Sequence, residues 1–261
     1  VEHALDVWPA IGDLLSNNHV ILLLDFDGTL APIVREPGKA ALPARTRAVL
    51  EKLSGKESHT VAIVSGRSLA DLRNKVGIED LIYVGNHGIE IAGPGLSFIA
   101  PGAPSARSAL MNVKAAVCSF ASGIHGVLFE DKGASLSVHV RMVREAEKAA
   151  VLDGVQSAAR PFLDILNVRM GKEVVDITPL GWDKGNAVRW LLDRIIPTLP
   201  GASAVPVCIG DDATDEDAFR AVNGRGVTVV VGERARSSAR YYLNDTASVR
   251  RFLQKTLDLG A

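Results

Sequence analysis

The chain has little of what would place it in several large classes of protein. Only two cysteines, Cys118 and Cys208, occur in 261 residues. Both lie in apolar surroundings, which suits small core fillers in a reducing, cytoplasmic compartment and excludes a disulfide scaffold. Net charge is nearly absent as well, at -1, so no global field of either sign recruits nucleic acid or an anionic membrane. An anion has to be held locally instead. The apolar run that starts at Val20 is broken at Asp25, far short of the roughly 20 residues a spanning helix needs, and no secretory leader is read at the start. What is present in quantity is hydrophobic side chain, 47% of the residues, enough for one large soluble core or a core with an insert.

The run Val20-Ile21-Leu22-Leu23-Leu24-Asp25-Phe26-Asp27-Gly28-Thr29-Leu30 carries the most information. Its apolar part reads as a buried parallel strand, so its end delivers Asp25 and Asp27 to the carboxyl edge of a sheet, where α/β ligand sites form. Two carboxylates this close repel, and one protonates unless a cation sits between them. Oxygen ligands in a phosphate-handling site favour Mg²⁺.

The chain around this run alternates strands and helices. Helical spacing covers Pro43–Leu53 and Leu69–Val76. Strands are read at Thr60–Val64, ending in Ser65-Gly66-Arg67, and at Leu81–Val84, ending in Gly85-Asn86-His87-Gly88. Strands joined by helical crossovers predict a parallel sheet. A cluster of Gly93, Pro94, Gly95, Pro101, Gly102 and Pro104 then reads as a linker. Beyond it the order becomes α-β-β-α-β-β: a helix over Ala106–Ala121, strands at Val127–Lys132 and Ser135–Arg141, a helix over Val143–Ala159, and strands at Ile165–Arg169 and Glu173–Thr178. This order predicts a lid-like inserted domain, an antiparallel sheet with helices on one face. The first rhythm resumes from Asp183, with a strand at Val205–Ile209 before Gly210-Asp211-Asp212-Ala213-Thr214-Asp215 and another at Gly226–Val231. A closing helix runs from Ala247. The predicted division is a core in two pieces, 1–103 and 181–261, split by a cap at 104–180.

Asp25, Ser65, Asn86, His87 and Asp211 all follow strands, so the topology converges them on one edge. A carboxylate there can attack phosphorus to give an aspartyl-phosphate. The carboxylate two residues on can protonate the leaving alcohol and then take a proton from water. On this reading Asp25 is the nucleophile and Asp27 the acid and base. Asp25, Asp27, Asp211 and Asp215 are the metal candidates, Asp215 being equally a supporting residue or a cap of the helix that follows. Ser65, Gly66 and Lys184 hold the phosphate oxygens. Within the insert, Ser135, Ser137, His139 and Arg141 alternate with Leu136, Val138 and Val140, so one face of the strand is polar. Glu130 and Lys132 fall together on the strand before it, and Asp176 lies on the last. Such a face suits a hydroxyl-rich sugar, because each hydroxyl both donates and accepts. His87, in a glycine-flanked turn, is read as structural or as touching the substrate.

The motifs Asp25-Phe26-Asp27-Gly28-Thr29, Ser65-Gly66-Arg67, Lys184 and Gly210-Asp211-Asp212-Ala213-Thr214-Asp215 resemble, in order, the four motifs of the haloacid dehalogenase superfamily. Together with Asn86-His87-Gly88, the stretch Glu130 to Arg141, Trp182-Asp183-Lys184-Gly185 and the continuation to Phe219, they resemble the trehalose-6-phosphate phosphatases over nearly the whole chain. The resemblance implies a Rossmann-like core with a smaller α/β cap, Mg²⁺ dependence and hydrolysis of trehalose 6-phosphate. It implies Glu130, Lys132 and Arg141 as sugar contacts, joined by His139, Asn86, His87 and Asp176. Where the family has glutamate and then arginine before the proline, this chain reads Asp176-Ile177-Thr178-Pro179, and Asn86 stands in place of the more usual serine. The expected partner is a small-molecule sugar phosphate, and the chain is expected to be a monomer. Alternatives are a phosphatase of the sucrose 6-phosphate or glucosylglycerol phosphate type, a phosphosugar mutase, and a non-catalytic phosphosugar-binding module.

Overall fold

The computed structural model describes residues 1–34, 36–171, 173–199, 203–232 and 236–259. Among them thirteen strands run in order: β1 (Glu2–His3), β2 (His19–Leu24), β3 (His59–Val64), β4 (Ile82–Gly85), β5 (Glu90–Gly93), β6 (Leu96–Ile99), β7 (Leu128–Asp131), β8 (Leu136–His139), β9 (Leu166–Gly171), β10 (Val174–Pro179), β11 (Ala204–Gly210), β12 (Val227–Val231) and β13 (Tyr241–Leu243). The chain divides into two compact units, Val1–Phe98 with Asp183–Ala261, and Ile99–Trp182. No helix among the described residues is long and apolar enough to cross a membrane.

The first unit is built on a sheet in the order β1-β13-β12-β11-β2-β3-β4-β5-β6. Pairing is parallel from β1 through β4 and turns antiparallel between β4 and β5. Strand β2 shows why the run from Val20 is unbroken. Val20, Leu22 and Leu24 pack into one apolar cluster with the helices Trp8–Ser16, Ala44–Ser54 and Thr246–Leu257, through Leu15, Leu50 and Phe252. Ile21 and Leu23 pack on the other side, against Leu191 and Phe219 of the helices Lys184–Ile195 and Asp215–Val222. Side chains alternate across a strand, so a strand covered on both faces has to be apolar at every position. Each such leucine contributes about 1.5–3 kcal/mol by leaving water.

The second unit carries the smaller sheet β7-β8-β10-β9, antiparallel throughout. Leu136, Val138, Val175 and Ile177 turn one face toward the helices Ala103–Ala121 and Glu145–Ala159, meeting Leu110, Val113, Val117, Val151 and Val155. The other face is left to the polar residues of the same strands.

One expectation is overturned. Residues 93–104 are not a plain linker, because β5 and β6 are adjacent strands at the sheet edge joined through Pro94 and Gly95. The breakers fall between elements: Gly95 takes a φ of 68° in the turn, and Gly102, at φ 86°, caps a helix that has its proline in the first turn. Proline is harmless there, because its missing N–H would have had no helical partner. The short strands β1 and β13 carry no periodic signal long enough to read, whereas the helix Trp8–Ser16 has Trp8, Ile11 and Leu15 at helical spacing on its inward face.

Beside this core, His59 is only 8% exposed, with Nδ1 2.9 Å from Ser58 Oγ. Burial, then the Lys56 ammonium and His19, push its pKa down to about 4. An unfolded histidine titrates near pH 6.5, so this contribution to stability is fully present above that pH. It is lost as pH falls toward 4, by about 3 kcal/mol at most. His59→Gln is expected to remove most of that loss, read as the urea midpoint at a series of pH values between 6.5 and 4. Parallel profiles in parent and variant would count against it.

Candidate active site

Strand register brings the motif residues level. Leu24 of β2 is flanked by Ile63 of β3 and Ile209 of β11, and Val64 pairs with Val84 of β4. Asp25, Ser65, Asn86 and Asp211 therefore all emerge at the carboxyl edge of the parallel strands, as their spacing predicts.

Asp25 is 6% exposed and Lys184 2%. The Lys184 ammonium donates to Asp25 Oδ1 at 2.8 Å and to Asp215 Oδ1 at 2.7 Å. Lys184 is brought there as the first residue of its helix, whose N-terminus is capped by Asp183 accepting from the Asn186 amide at 2.8 Å. Burial pushes the Asp25 carboxyl well up; Lys184 opposes this, and Asp215, Asp211 and Asp212 reinforce it. Burial alone would lower Lys184, but Asp215, Asp25 and Asp212 hold it well above its usual range. Asp212 goes the other way: although burial raises it, Lys184 and two hydrogen bonds from Thr214 bring it down to about 2.

Asp25, Asp211 and Asp215 each bring one carboxylate oxygen within 4.8 Å of the others. Three hard anionic oxygens fit a divalent cation such as Mg²⁺ or Ca²⁺ rather than a soft metal. Asp215 is already heavily used, since Oδ2 accepts from the amides of Asp211 and Asp212 at 3.0 Å each while Oδ1 takes Lys184. Asp27 is not brought into this group. Arg67 grips it in a fork, Nε to Oδ2 at 2.6 Å and Nη2 to Oδ1 at 2.7 Å, and also reaches Asp71 Oδ2 at 2.7 Å and the Pro37 carbonyl at 2.8 Å. Arg67 is the site residue that sequence reasoning named without giving it work; the only signal was its place two residues after Ser65. Hydrogen bonds and charge from Asp27 and Asp71 more than offset its burial and raise its pKa.

Glycines allow the loops to close on one another. A Cβ on Gly28, which has φ 84°, would overlap the Asp211 carboxylate, one on Gly210 the Asp215 carboxylate, and one on Gly66 the His87 imidazole. Ser65, 2% exposed, accepts from the Arg67 amide at 3.2 Å. Its carbonyl accepts from the His87 amide at 3.0 Å, and the Arg67 carbonyl accepts from the Asn86 amide at 2.7 Å. Asn86 and His87 are both left-handed, with φ 51° and 57°, a region few non-glycine residues occupy and one that asparagine and histidine tolerate better than most.

In the second unit the structure gathers Glu130, Lys132, His139 and Asp176. His139 Nε2 lies 3.1 Å from Glu130 Oε2, and the Lys132 ammonium is 3.8 Å from both Glu130 Oε2 and Asp176 Oδ1. Ser137 donates to Asp176 from the neighbouring strand. Arg141 is placed elsewhere: it pairs with Glu173 at 3.2 Å, and Glu173 also takes Lys148 at 2.8 Å.

This strand order, with four loop motifs at one edge and an α/β insert, defines a haloacid dehalogenase-type fold. Comparison with known proteins narrows it. The sequence profile described as Trehalose-phosphatase matches residues 23–247, and the chain belongs to that family. It is 35% identical over 256 residues to a trehalose-phosphate phosphatase of Mycobacterium avium, covering 94% of this chain and 64% of that protein. Against trehalose 6-phosphate phosphatase RA3 of Zea mays it is 34% identical over 254 residues, covering 90% of this chain and 69% of that one. It therefore spans about two thirds of the length of these relatives. The C-terminal domain of the Candida albicans trehalose-6-phosphate phosphatase has the same fold, with a TM-score of 0.82 at 23% identity over 96% of both chains.

Gly66→Ala is expected to cost about 1–3 kcal/mol of stability, the usual penalty of overpacking, and to shift the His87 imidazole resonances. Gly38→Ala is the control, because nothing lies within 4 Å of a Cβ there. Unmoved His87 signals in Gly66→Ala would contradict the close packing.

Proposed function

We propose that the protein is a Mg²⁺-dependent phosphatase that hydrolyses trehalose 6-phosphate to trehalose and inorganic phosphate. The observation that carries this reading is a buried carboxylate, Asp25, at the end of β2 with the Lys184 ammonium at 2.8 Å and the Asp211 carboxylate in the same cluster. Family membership supports the choice of sugar.

In this reading an Asp25 oxygen attacks phosphorus as the bond to the sugar oxygen breaks, giving an aspartyl-phosphate and an alkoxide that Asp27 protonates. Water then attacks the same phosphorus while Asp27 takes its proton, and the bond to Asp25 breaks to release phosphate. Arg67 holds the Asp27 carboxylate in the resting arrangement; Asp27 carries a proton into the first step by leaving this fork, and regains it from water in the second. Ser65, the Gly66 amide and Lys184 hold the phosphoryl oxygens. The cation, held by Asp25 and Asp211 with Asp215 in support, offsets charge on the transferring group when bound. Residues 1–103 and 181–261 act as the catalytic core and 104–180 as the cap. In the second unit the polar group of Glu130, Lys132, His139 and Asp176, with Arg141, recognises the sugar; in the first, His87 lies beside the phosphate-holding loop, while the fully buried Asn86 supports the turn. A monomer in a reducing cytoplasm belongs to the same proposal, supported by the free thiols of Cys118 and Cys208.

A regulatory reading has one point in its favour. The fold alone also serves the C-terminal domain of a Candida albicans trehalose synthase regulatory protein, at a TM-score of 0.75 and 13% identity. The presence of Asp25, Asp27, Lys184 and Asp211 in this chain favours the enzyme.

Phosphate release from trehalose 6-phosphate, sucrose 6-phosphate, glucosylglycerol phosphate and glucose 6-phosphate, with and without Mg²⁺, tests the reading directly. Trehalose 6-phosphate with Mg²⁺ is expected to give the highest kcat/KM. A higher value for another sugar reassigns the substrate, and isomer formation without phosphate release would point to a mutase.

Asp25→Asn is expected to abolish turnover, by a factor on the order of 10³ or more, because an amide cannot form the covalent intermediate. Circular dichroism should be unchanged. Parent-like phosphatase activity in that variant would sink the mechanism.

A further inference from the structure

The turn Asn86-His87-Gly88 touches both groups that hold phosphate in the proposed reading. On one side its amides are tied to the Ser65 loop: Asn86 N–H donates to the Arg67 carbonyl at 2.7 Å and His87 N–H to the Ser65 carbonyl at 3.0 Å. On the other, Gly88, at φ 103°, presses on the start of the Lys184 helix. A Cβ there would come within 2.7 Å of the Asp183 carbonyl and 2.8 Å of Ala187 Cβ. Asp183 is the cap of that helix, and Lys184 is its first residue.

The conformation that makes this double contact is an uncommon one. Asn86 and His87 are consecutive non-glycine residues in the left-handed region, a state that persists only where the surroundings over-determine it. Asn86 is fully buried, and its side-chain amide donates to the carboxylate of Glu90. Glu90 is the first residue of β5 and pairs in register with Gly85, the last residue of β4. The carboxylate is thus borne by the strand that closes the turn, on a rigid part of the sheet.

We infer that Glu90 is a positioning residue: by accepting from Asn86 it locks the left-handed turn that sets the Ser65–Gly66 loop and the Lys184 helix at a fixed separation. Asn86 on this view acts through the turn, with its amide committed to Glu90. The inference rests on the proposed reading of Ser65, Gly66 and Lys184 as the phosphate-holding groups. Its consequence is specific, because the phosphoryl group is common to every phosphoester while the sugar is not. Loosening the turn therefore weakens all phosphoesters alike, whereas loss of a sugar contact weakens only the sugar phosphate.

Glu90→Ala, Glu90→Gln and Asn86→Gly separate the possibilities. Glutamine keeps an acceptor for Asn86. Glycine at 86 adopts the left-handed conformation freely but drops the side-chain bond. The readouts are calorimetric affinity for inorganic phosphate and for orthovanadate, and kcat/KM for p-nitrophenyl phosphate and trehalose 6-phosphate, with melting temperature measured in parallel. Displacement of the holding groups by about 1 Å is worth up to roughly 100-fold in rate. Glu90→Ala and Asn86→Gly are accordingly expected to weaken both anions about tenfold or more, and to lower kcat/KM for the two substrates by similar factors, while Glu90→Gln stays within about threefold of the parent. If Glu90→Ala does not fold, Asn86→Gly carries the test with the same expected losses. Parent-like phosphate affinity in the folded variants would overturn the inference, as would a Glu90→Gln loss equal to that of Glu90→Ala. A loss confined to trehalose 6-phosphate would also overturn it, by making Glu90 a sugar contact. Failure of the phosphatase reading shows separately, as a parent protein that releases no phosphate from any ester, and the two anion affinities still decide the role of Glu90.

Discussion

The site depends on one buried ammonium. Asp25, Asp211, Asp212 and Asp215 crowd the same sheet edge, and Lys184 is the lysine inside the crowd, bonded to two of the four carboxylates. Removing one partner of such a buried pair typically costs 3–5 kcal/mol, because the charge left behind has neither water nor a counter-ion. The same arrangement explains why the carboxylates do not behave alike. Against its burial, Lys184 and then the bonds from Thr214 bring the pKa of Asp212 down to about 2, whereas burial pushes Asp25 and Asp215 upward. A second positive charge beside Asp25 would favour its ionised form, which is the form a nucleophile needs. The electrostatics of the folded chain and the chemistry proposed for it therefore ask for the same cation.

Backbone proximity is the second constraint, and it follows from the first. Charges can share a counter-ion only if their loops approach within a side chain's length; separate loops meet at Gly28 and Gly66, and the loop from Gly210 folds back on its own Asp215. At each of them a neighbour's carboxylate or imidazole fills the volume that a Cβ would take. The approach leaves no slack in the loops themselves. Gly28 N–H donates to the Ala31 carbonyl at 2.7 Å, and Ala31 N–H to the Phe26 carbonyl at 2.8 Å, so the segment bearing Asp25 and Asp27 is closed on itself while Phe26 is buried in the core. Asp25 turns toward Lys184 and Asp27 toward Arg67. Two carboxylates one residue apart are thereby given different neighbours, and the repulsion between them is divided between two cations.

These relations explain what could be read from the sequence. Strand ends were legible because a strand buried on both faces has to be apolar throughout, and the first polar residue after such a run marks the sheet edge. The polar face of β8 was legible for a related reason, the alternation of Ser137 and His139 with Leu136 and Val138. Partner choice was legible only in part. Asp71 lies four residues after Arg67, a readable ion-pair spacing, but nothing in the spacing says that the same guanidinium also bonds Asp27, since that depends on where β3 lies beside β2. Arg141 shares a strand face with His139 by periodicity, yet it turns to Glu173, a residue held at φ 62° in the turn between β9 and β10. The residues 93–104 misled because glycine and proline mark the boundaries of elements as well as the absence of them.

The two units also divide the problem of charge. In the proposed reading the phosphate end of the substrate needs concentrated positive charge, and the first unit offers Lys184 among acidic groups that invite a further cation. The network of the second unit sets Glu130 and Asp176 beside the Lys132 ammonium and the His139 imidazole, and its members are linked to one another across three adjacent strands. A balanced set of donors and acceptors on rigid strands suits hydroxyls, which carry no charge but have fixed directions. Discrimination between sugars would then rest on reach rather than on charge. Asp176 carries a short acidic side chain, and it is held by Ser137 from the neighbouring strand. Its carboxylate is fixed close to the sheet, so in the proposed reading a sugar hydroxyl that meets it has to approach the sheet closely.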